Sequence, residues 1–433
     1  MKQSVREKSL SILIQVEAGT VFPAQALNEA DSLFSDARDR GLLRSLVYGV
    51  EENRTYLDWI LDQFSAKPMR SQKAFLRGIL RMGAYELVMT RIPAHAAVNE
   101  AVKLIRKKAD YAKGYVNALL RSLSRSLPEI AEVKAGDELE RLSIRYSHPL
   151  WILKYMRRQF SITELEEILK KNNAPSPVSL FVNSGRMTRE EVIDELRDVL
   201  IHPRKSRLSQ NCILCDGGPI TATSLFQTGV ISIQSQPSIR VAEIAAEGIR
   251  PDAKILDLCA APGGKSMAMH ILSGARIHAN DVAEEKLRIL KENAERLGNP
   301  SLEVSARDAA EFYPDWKERY DVVLVDAPCS GLGLLGRKPD IRWNRKESDL
   351  QELSSLQKKI LSNAAFYVKK GGRLVYSTCT YGERENENVI DFFLSHSDAS
   401  WKREEIDGKD SMHTSPLSEG ADGFFMCRFI KMT

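Results

Sequence analysis

The sequence contains no apolar run close to the roughly 18 residues that a membrane-spanning helix needs. Its opening residues, MKQSVREKSL, lack the apolar core of a secretory signal peptide. Cysteine is also scarce: the 433 residues include six, too few for a fold stapled by disulfides. These absences argue against a membrane protein and a disulfide-rich secreted protein, and they predict a cytoplasmic protein with reduced thiols.

Three ligand-binding motifs are also missing or incomplete. The dinucleotide fingerprint Gly-x-Gly-x-x-Gly is absent from the glycine loop near residue 260. Gly264-Lys-Ser266 ends like a phosphate-binding P-loop, but Cys259 stands where that motif requires its first glycine. Cys212 and Cys215 form a C-x-x-C without a second Cys or His pair at zinc spacing, so we predict no metal site.

Positive charge is concentrated near the start of the chain. Residues 1–130 carry 20 Lys and Arg against 14 Asp and Glu, a net of +6, although the whole chain has a net charge of +4. The basic face of the last helices in this region is supplied by Arg106, Lys107, Lys108, Lys113, Arg121 and Arg125. This clustering indicates an anionic partner, and a solvated helix face is the alternative interpretation.

Apolar spacing divides the chain into three parts. Residues 1–130 show helical spacing throughout and predict a helical bundle, and Pro128 begins a connection after it. Residues 140–235 combine helices with two short strand patterns, which is typical of a small α+β lobe. From about residue 250 the pattern alternates strands with helices and ends in an antiparallel strand at 423–430, which predicts a doubly wound sheet. Its other predicted strands are 254–258, 276–280, 302–305, 321–325 and 373–377.

A glycine loop follows the first of these strands, in Asp257-Leu-Cys-Ala-Ala-Pro-Gly-Gly-Lys265. Glycines let a ligand approach the backbone, and ligands of doubly wound sheets bind beyond the carboxyl ends of strands. Asp281 ends the next strand and can accept the ribose hydroxyls, while Asp308 can accept the adenine amino group. A nucleoside without a phosphate cradle fits best, so we predict S-adenosylmethionine, with helix capping as the alternative role of both aspartates. The predicted cofactor-binding residues are Cys259, Ala260, Ala261, Pro262, Gly263, Gly264, Lys265, Asp281, Asp308 and Asp326.

Two cysteines also end predicted strands of this sheet. Cys329 stands in Asp326-Ala-Pro-Cys-Ser330, and Cys379 stands in Tyr376-Ser-Thr-Cys-Thr380. Because the carboxyl ends of parallel strands share one edge, both thiols and the Asp326 carboxylate are predicted beside the methyl donor. A lone buried cysteine is usually inert packing, which is the interpretation we give to Cys427 and Cys212.

These motifs together resemble those of the RNA cytosine-5 methyltransferases, and residues 1–130 resemble a NusB-like RNA-binding domain. The combination resembles the Sun/Fmu (RsmB) family of bacterial 16S ribosomal RNA cytosine-5 methyltransferases over almost the whole chain. Further similar stretches lie at 115–121, 337–343, 385–388 and 420–425. The chain departs from the family at Gln234-Ser235, where a Gln-Asp pair is frequent but is not catalytic.

The resemblance implies a multidomain fold and a substrate. We expect an all-α NusB-like domain at 1–130, an RRM-like α+β lobe at 140–235 and a Rossmann-like class I methyltransferase domain at 236–433. The implied reaction methylates carbon 5 of a cytosine of the 967 type in 16S rRNA, either free or in an assembling small subunit. We expect a monomer that binds neither a metal nor a membrane.

The resemblance also implies the roles of the residues at the site. In this family the cysteine at the position of Cys379 would attack carbon 6 of the base, and Cys329 would assist release of the methylated product. DNA cytosine methyltransferases instead attack with the cysteine of a Pro-Cys motif, which here is Cys329. The chemistry of the base, rather than the resemblance, suggests Asp326 as the donor at N3, either protonated or sharing a proton with the base. Lys265 would orient Asp326 or contact RNA, with a solvated lysine as the alternative. Other hypotheses are a cytosine-5 methyltransferase of tRNA, a non-catalytic NusB-like RNA-binding factor and a nicotinamide-dependent oxidoreductase, which the missing dinucleotide fingerprint disfavours.

Overall fold

The computed structural model describes residues 4–127, 133, 136–299 and 302–432. The chain divides into two compact units: Met1–Arg157 with Lys338–Arg345, and Arg158–Arg337 with Lys346–Thr433. Pro128 and residue 130, where we predict a connection and the end of the helical domain, lie outside the described residues. None of the helices in these described ranges is long and apolar enough to cross a membrane.

The first unit is helical, as the apolar spacing predicts. Its consecutive helices are α1 Val5–Glu17, α2 Pro23–Asp31, α3 Ala37–Glu52, α4 Arg54–Asp62, α5 Ala74–Met89, α6 Ala94–Ala109, α7 Lys113–Ser126, α8 Glu138–Arg145 and α9 Leu150–Met156. A capping box between Ser4 and Glu7 starts α1, because each side chain bonds the other's backbone N–H. The predicted apolar face of α3, including Leu43, Leu46 and Val47, is fully buried in the core.

A buried charge cluster ties three helices of this unit together. The Glu17 carboxylate lies 2.8 Å from Arg54, 2.9 Å from Arg77 and 2.9 Å from Arg81. Burial alone would raise the pKa of Glu17, but the hydrogen bonds and charges of the arginines outweigh burial and lower that pKa to about 2. Glu17 therefore stays ionised at neutral pH and stabilises the arrangement of α1, α4 and α5.

The second unit contains every strand of the described chain, and its elements alternate as predicted. Its strands are β1 Val178–Val182, β2 Arg204–Lys205, β3 Cys212–Cys215, β4 Ile231–Ile233, β5 Lys254–Asp257, β6 Arg276–Asn280, β7 Glu303–Ser305, β8 Tyr320–Asp326, β9 Val368–Thr378, β10 Trp401–Arg403, β11 Met412–Thr414 and β12 Phe424–Lys431. The remaining helices are α10 Ile162–Asn172, α11 Arg189–Glu195, α12 Ser224–Gln227, α13 Gln236–Ala246, α14 Gly264–Ser273, α15 Glu284–Leu297, α16 Ile341–Asn344, α17 Asp349–Tyr367 and α18 Glu387–His396. Of these, α16 lies in the first unit.

Two sheets organise the second unit. The small sheet has the order β2-β3-β1-β4 and is antiparallel. The large sheet has the order β10-β12-β9-β8-β5-β6-β7, with β5 to β9 parallel and β12 antiparallel to β9. The predicted fold class is therefore confirmed, and the three domain boundaries given above stay predictions.

Some elements were not predicted. Strand β3 contains the whole C-x-x-C, and its alternation places Cys212 and Cys215 in two different apolar clusters. The short strands β2, β10 and β11 and the helix α13 were also missed. These strands have two or three residues, too few for an alternating pattern to be recognisable.

Candidate active site

The parallel register brings the predicted site residues to one edge of the large sheet. Asp326 at the end of β8 is directly opposite Ser377 near the end of β9. The loops that follow both strands therefore leave the sheet side by side. They carry Cys329 and Cys379, whose Sγ atoms lie 3.1 Å apart although 50 residues separate them in sequence.

The glycine loop lies at the end of β5 at this same edge. The Ala260 N–H donates to the Asn280 carbonyl at the end of β6, at 2.8 Å, and the Gly263 N–H donates to the Ala260 carbonyl, at 2.7 Å. Gly263 caps α14 with a φ of 98°, in the left-handed region that favours glycine. A Cβ atom there would stand 2.8 Å from Leu290, so the tight turn and the close helix both require glycine.

Asp281 and Asp308 both make bonds of the capping type. Asp281 accepts the N–H of Ala261 and the N–H of Ala283, each at 3.0 Å, so it fixes the glycine loop as well as its own turn. Asp308 accepts the Ala310 N–H at 2.9 Å. The capping alternative is therefore observed, but it does not exclude a ligand, because a carboxylate oxygen can accept more than one hydrogen bond.

Asn280 is a structural residue of the site that the sequence analysis missed. Its Nδ2 donates to the Leu258 carbonyl at 3.0 Å and to the Arg307 carbonyl at 2.9 Å. Its Oδ1 accepts the Ser305 hydroxyl and the Arg307 N–H. Asn280 thus joins the ends of β5, β6 and β7 and brings the Asp308 turn next to the glycine loop. Its position directly before Asp281 is the only signal in the sequence.

Lys265 and Asp326 form an ion pair between the glycine loop and the cysteine loops. Lys265 Nζ lies 2.6 Å from Asp326 Oδ2, and the Ser377 hydroxyl donates to Asp326 Oδ1 at 2.7 Å. Burial alone would lower the pKa of Lys265, but the charge and hydrogen bond of Asp326 outweigh it and raise that pKa. With a side chain only 14% exposed, Lys265 is a charged member of the site rather than a solvated lysine.

Asp257 is a second buried carboxyl group below the glycine loop. It is fully buried at the end of β5, and its Oδ2 accepts the Ser266 hydroxyl at 2.6 Å. Burial raises the pKa of Asp257 to about 7. In the sequence, Asp257 stands out only as the start of the glycine-loop motif, and no pattern there predicts its raised pKa.

Hydrogen bonding and burial raise the pKa of several cysteine thiols in this unit. The hydrogen bond with Cys379, followed by burial, raises the pKa of Cys329 well above its ordinary value, so Cys329 holds its proton at neutral pH. Burial likewise raises the pKa of Cys259, Cys212 and Cys427, and the last two are fully enclosed in apolar clusters. Within the described ranges no group of three or more His, Cys, Asp or Glu could hold a metal ion.

The basic face of α6 and α7 is less free than its composition indicates. Lys107 pairs with Glu7 at 2.6 Å, and Asp110 pairs with both Arg106 and Lys113. The three predicted cations without a described carboxylate partner are Lys108, Arg121 and Arg125, and all three are exposed. They leave a smaller positive surface on the first unit than the sequence predicts.

The residues at the sheet edge fit an adenosine cofactor with a sulfonium group. The tight turn at Gly263 brings backbone to the edge of the sheet where a ligand would bind. The carboxylates of Asp281 and Asp308 are available to hydroxyl and amino donors of that ligand. The carboxylate of Asp326 adds negative charge at the same edge. The fold and the site therefore define a Rossmann-like, S-adenosylmethionine-dependent methyltransferase with an additional helical domain.

Comparison with known proteins identifies the family. The chain is 34% identical to the probable ribosomal RNA small subunit methyltransferase B of Bacillus subtilis, with 99% of each chain covered. It belongs to the ribosomal RNA small subunit methyltransferase B family. It is also 33% identical to the corresponding protein of Photorhabdus laumondii, over 95% of this chain and 94% of that one.

The domain families and a solved structure agree with this assignment. Residues 247–430 match the family described as 16S rRNA methyltransferase RsmB/F, and residues 3–125 match the NusB family. Residues 148–220 match the ferredoxin-like domain of RsmF/B-like methyltransferases. The crystal structure of PH0851 is similar with a TM-score of 0.79 and 25% identity, over 98% of both chains. The predicted family, fold class and cofactor are thereby confirmed, and the chain is an rRNA methyltransferase.

Proposed function

We propose that this rRNA methyltransferase methylates carbon 5 of a cytosine in 16S rRNA, of the cytosine 967 type, through a covalent bond between Cys379 and carbon 6. The observation that carries the proposal is the pair of thiols 3.1 Å apart at the sheet edge that also holds Lys265 and Asp326. Two adjacent thiols suit a reaction that first adds a sulfur to the base and then eliminates it.

The first step activates the base. Carbon 5 of cytosine is a poor nucleophile, and attack by the Cys379 thiolate on carbon 6 turns carbon 5 into an enamine carbon. The electron pair of the carbon 5–carbon 6 double bond shifts toward carbon 4 and displaces the carbon 4–N3 pair onto N3. The proton that the Cys379 thiol gives up passes to the Asp326 carboxylate and from there to N3, so that no charge is left on the ring. S-adenosylmethionine, when bound by the glycine loop, Asp281 and Asp308, supplies an electrophilic methyl group.

The second step releases the product. The proton on carbon 5 leaves to solvent, and the bond between carbon 6 and sulfur breaks with its electron pair returning to Cys379. Because Cys329 has a raised pKa and holds its proton, it donates a hydrogen bond to the leaving sulfur and assists elimination. The same raised pKa disfavours the thiolate of Cys329, which is the form a nucleophilic cysteine needs.

The accessibility of the target base determines which form of the RNA is the better substrate. The target base must leave its stack to meet Cys379, so a single-stranded or partly folded segment is the easier substrate. Lys108, Arg121 and Arg125 would hold flanking phosphates, which makes binding dependent on salt. We also propose a monomer that acts in the cytoplasm on free 16S rRNA or on an assembling small subunit.

Methylation of purified RNA tests the proposal. The enzyme is incubated with S-adenosylmethionine and 16S rRNA, small subunit particles or tRNA, and nucleosides are then identified by mass spectrometry. We expect 5-methylcytidine at one position of 16S rRNA. A product in tRNA alone would support the tRNA hypothesis, RNA binding without any methylated product would support a non-catalytic factor, and another methylated nucleoside would contradict the covalent mechanism.

A further inference from the structure

A buried carboxylate that this mechanism does not use lies between the two cysteine loops. Glu385 ends the short 3-10 helix Glu383–Glu385 and is fully buried. Its Oε1 accepts the Ser330 N–H at 2.8 Å and Gln357 Nε2 at 3.0 Å. Its Oε2 accepts the Ser330 hydroxyl at 2.5 Å. Glu385 therefore makes two separate bonds to the residue that directly follows Cys329.

The contacts continue into the second cysteine loop. The Ser330 and Thr380 hydroxyl oxygens lie 2.7 Å apart, and Thr380 directly follows Cys379. Gln357 also donates to the Pro328 carbonyl at 3.0 Å, so it bonds the residue on the other side of Cys329. Ser330, Gln357, Thr380 and Glu385 are all at most 1% exposed. One network thus connects the backbone on both sides of Cys329 with the residue after Cys379.

We propose that Glu385 is a positioning residue that holds Cys329 and Cys379 in register, and that Ser330 transmits its effect to both loops. The inference rests on the proposed function only for the statement that the two thiols react. A buried network of hydrogen bonds restricts the groups that it joins to few arrangements. Loss of that restriction lowers the fraction of time in which the sulfurs are close enough to act together.

A disulfide-forming reaction measures the approach of the two sulfurs directly. Oxidised glutathione reacts first with one thiolate and releases one reduced glutathione. The second cysteine then attacks the mixed disulfide, a second reduced glutathione leaves, and the new bond joins Cys329 to Cys379. The two protein thiols are oxidised and one glutathione disulfide is reduced, so electrons balance. Peptide mass spectrometry follows the rate of this second step and identifies the linked pair.

Three variants separate positioning from a simple loss of charge. Glu385→Gln removes the charged acceptor, and Ser330→Ala removes the hydroxyl between the loops. Glu383→Gln removes the same charge from an exposed position on the same turn and serves as the matched control. We expect the second step to slow about tenfold in the first two variants, which corresponds to about 1.4 kcal/mol, and to keep the wild-type rate in the control.

The same variants make a second prediction in methyl transfer. Glu385→Gln and Ser330→Ala lower kcat by a similar factor and leave KM for S-adenosylmethionine unchanged, because the bonds described here join the cysteine loops and not the glycine loop. If thermal unfolding shows that Glu385→Gln does not fold, the linking rate of Ser330→Ala alone tests the proposal. Thr380→Val should then reproduce its effect, and Thr380→Ser, which keeps the hydroxyl, should restore the wild-type rate.

Wild-type linking rates in both Glu385→Gln and Ser330→Ala would overturn the proposal. The linking assay contains neither RNA nor S-adenosylmethionine, so its outcome does not depend on the proposed function. Absence of 5-methylcytidine with slowed linking in the variants would reject the proposed function and keep the positioning role. Formation of 5-methylcytidine with unchanged linking rates in the variants would keep the proposed function and reject the positioning role.

Discussion

Replacement of Lys265 by methionine tests the ion pair at the centre of the site. Methionine keeps most of the apolar stem and removes the charge that lies 2.6 Å from Asp326. The side chains of Lys265 and Asp326 are 14% and 25% exposed, so solvent replaces the lost partner poorly. Breaking a buried ion pair by removing one partner costs roughly 3–5 kcal/mol. Because neither group is fully enclosed, we expect the lower end, about 3 kcal/mol, in the free energy of unfolding. Since Asp326 also loses the group that holds it in place, we expect kcat to fall about a hundredfold, which corresponds to about 2.7 kcal/mol in the activation free energy.

Single-turnover methyl transfer with saturating S-adenosylmethionine measures this effect. Lys254→Met is the matched control, because Lys254 is an exposed lysine at the start of β5, the strand that precedes the glycine loop. We expect the control to keep wild-type kcat and both variants to unfold cooperatively. A Lys265→Met enzyme with kcat within about fivefold of the wild type would refute the reasoning, since the pair would then contribute less than about 1 kcal/mol.

Three further predictions concern the cofactor, the helical unit and the RNA. Asp281→Asn should raise KM for S-adenosylmethionine about tenfold with little change in kcat, because a weaker acceptor replaces the charged one for ribose; an unchanged KM in steady-state kinetics would contradict this role. Glu17→Gln should lower the free energy of unfolding by about 2 kcal/mol at pH 7, a value reduced for solvent screening. Since the pKa of Glu17 in the folded state is about 2 and its ordinary value is 4.5, that difference should be complete above pH 4.5 and shrink as pH falls toward 2, as denaturant unfolding would show. Replacement of Arg121 and Arg125 by Gln should weaken RNA binding and reduce the slope of log K against log salt by about 1–2, whereas an unchanged slope would remove these residues from the RNA surface.

The strand-end residues were predictable because parallel strands impose their geometry. The apolar runs before Asp257, Asp281, Asp326 and Cys379 identify buried strands, and a doubly wound sheet brings their carboxyl ends to one edge. The glycine loop adds a local signal, since Gly263 needs a left-handed φ. The sequence therefore contains enough information to place both thiols at the sheet edge that carries the glycine loop, although the order proposed for their action rests on the family resemblance.

The contacts that hold the site were not predictable from local patterns. Glu385 lies 55 residues from Ser330, and nothing in either segment marks the pairing. The cations of α6 and α7 looked free, but Asp110 and Glu7 pair with half of them in three dimensions. Such contacts depend on which loops the fold brings together, so they become visible only once the sheet order is known.

Contacts within the first unit were likewise not predictable from local sequence patterns. The segment that contains α16 follows the Cys329 loop in sequence, yet Arg342 donates to the Glu52 carbonyl at 3.0 Å and Trp343 donates to the Glu51 carbonyl at 2.9 Å. Arg342 is fully buried there, and burial lowers its pKa to about 9. No pattern in this segment indicates that it belongs to the helical unit, and only the tertiary structure shows that backbone carbonyls of that unit accept the N–H groups of Arg342 and Trp343.

Trapping of a covalent protein–RNA adduct tests the central claim most directly. Cys329→Ala, Cys379→Ala and the wild type are mixed with 16S rRNA and S-adenosylmethionine, denatured, and separated by gel electrophoresis. We predict that Cys329→Ala accumulates an adduct, because the sulfur adds but is not released, and that Cys379→Ala forms none. An adduct with Cys379→Ala and none with Cys329→Ala would contradict the assignment and make Cys329 the nucleophile.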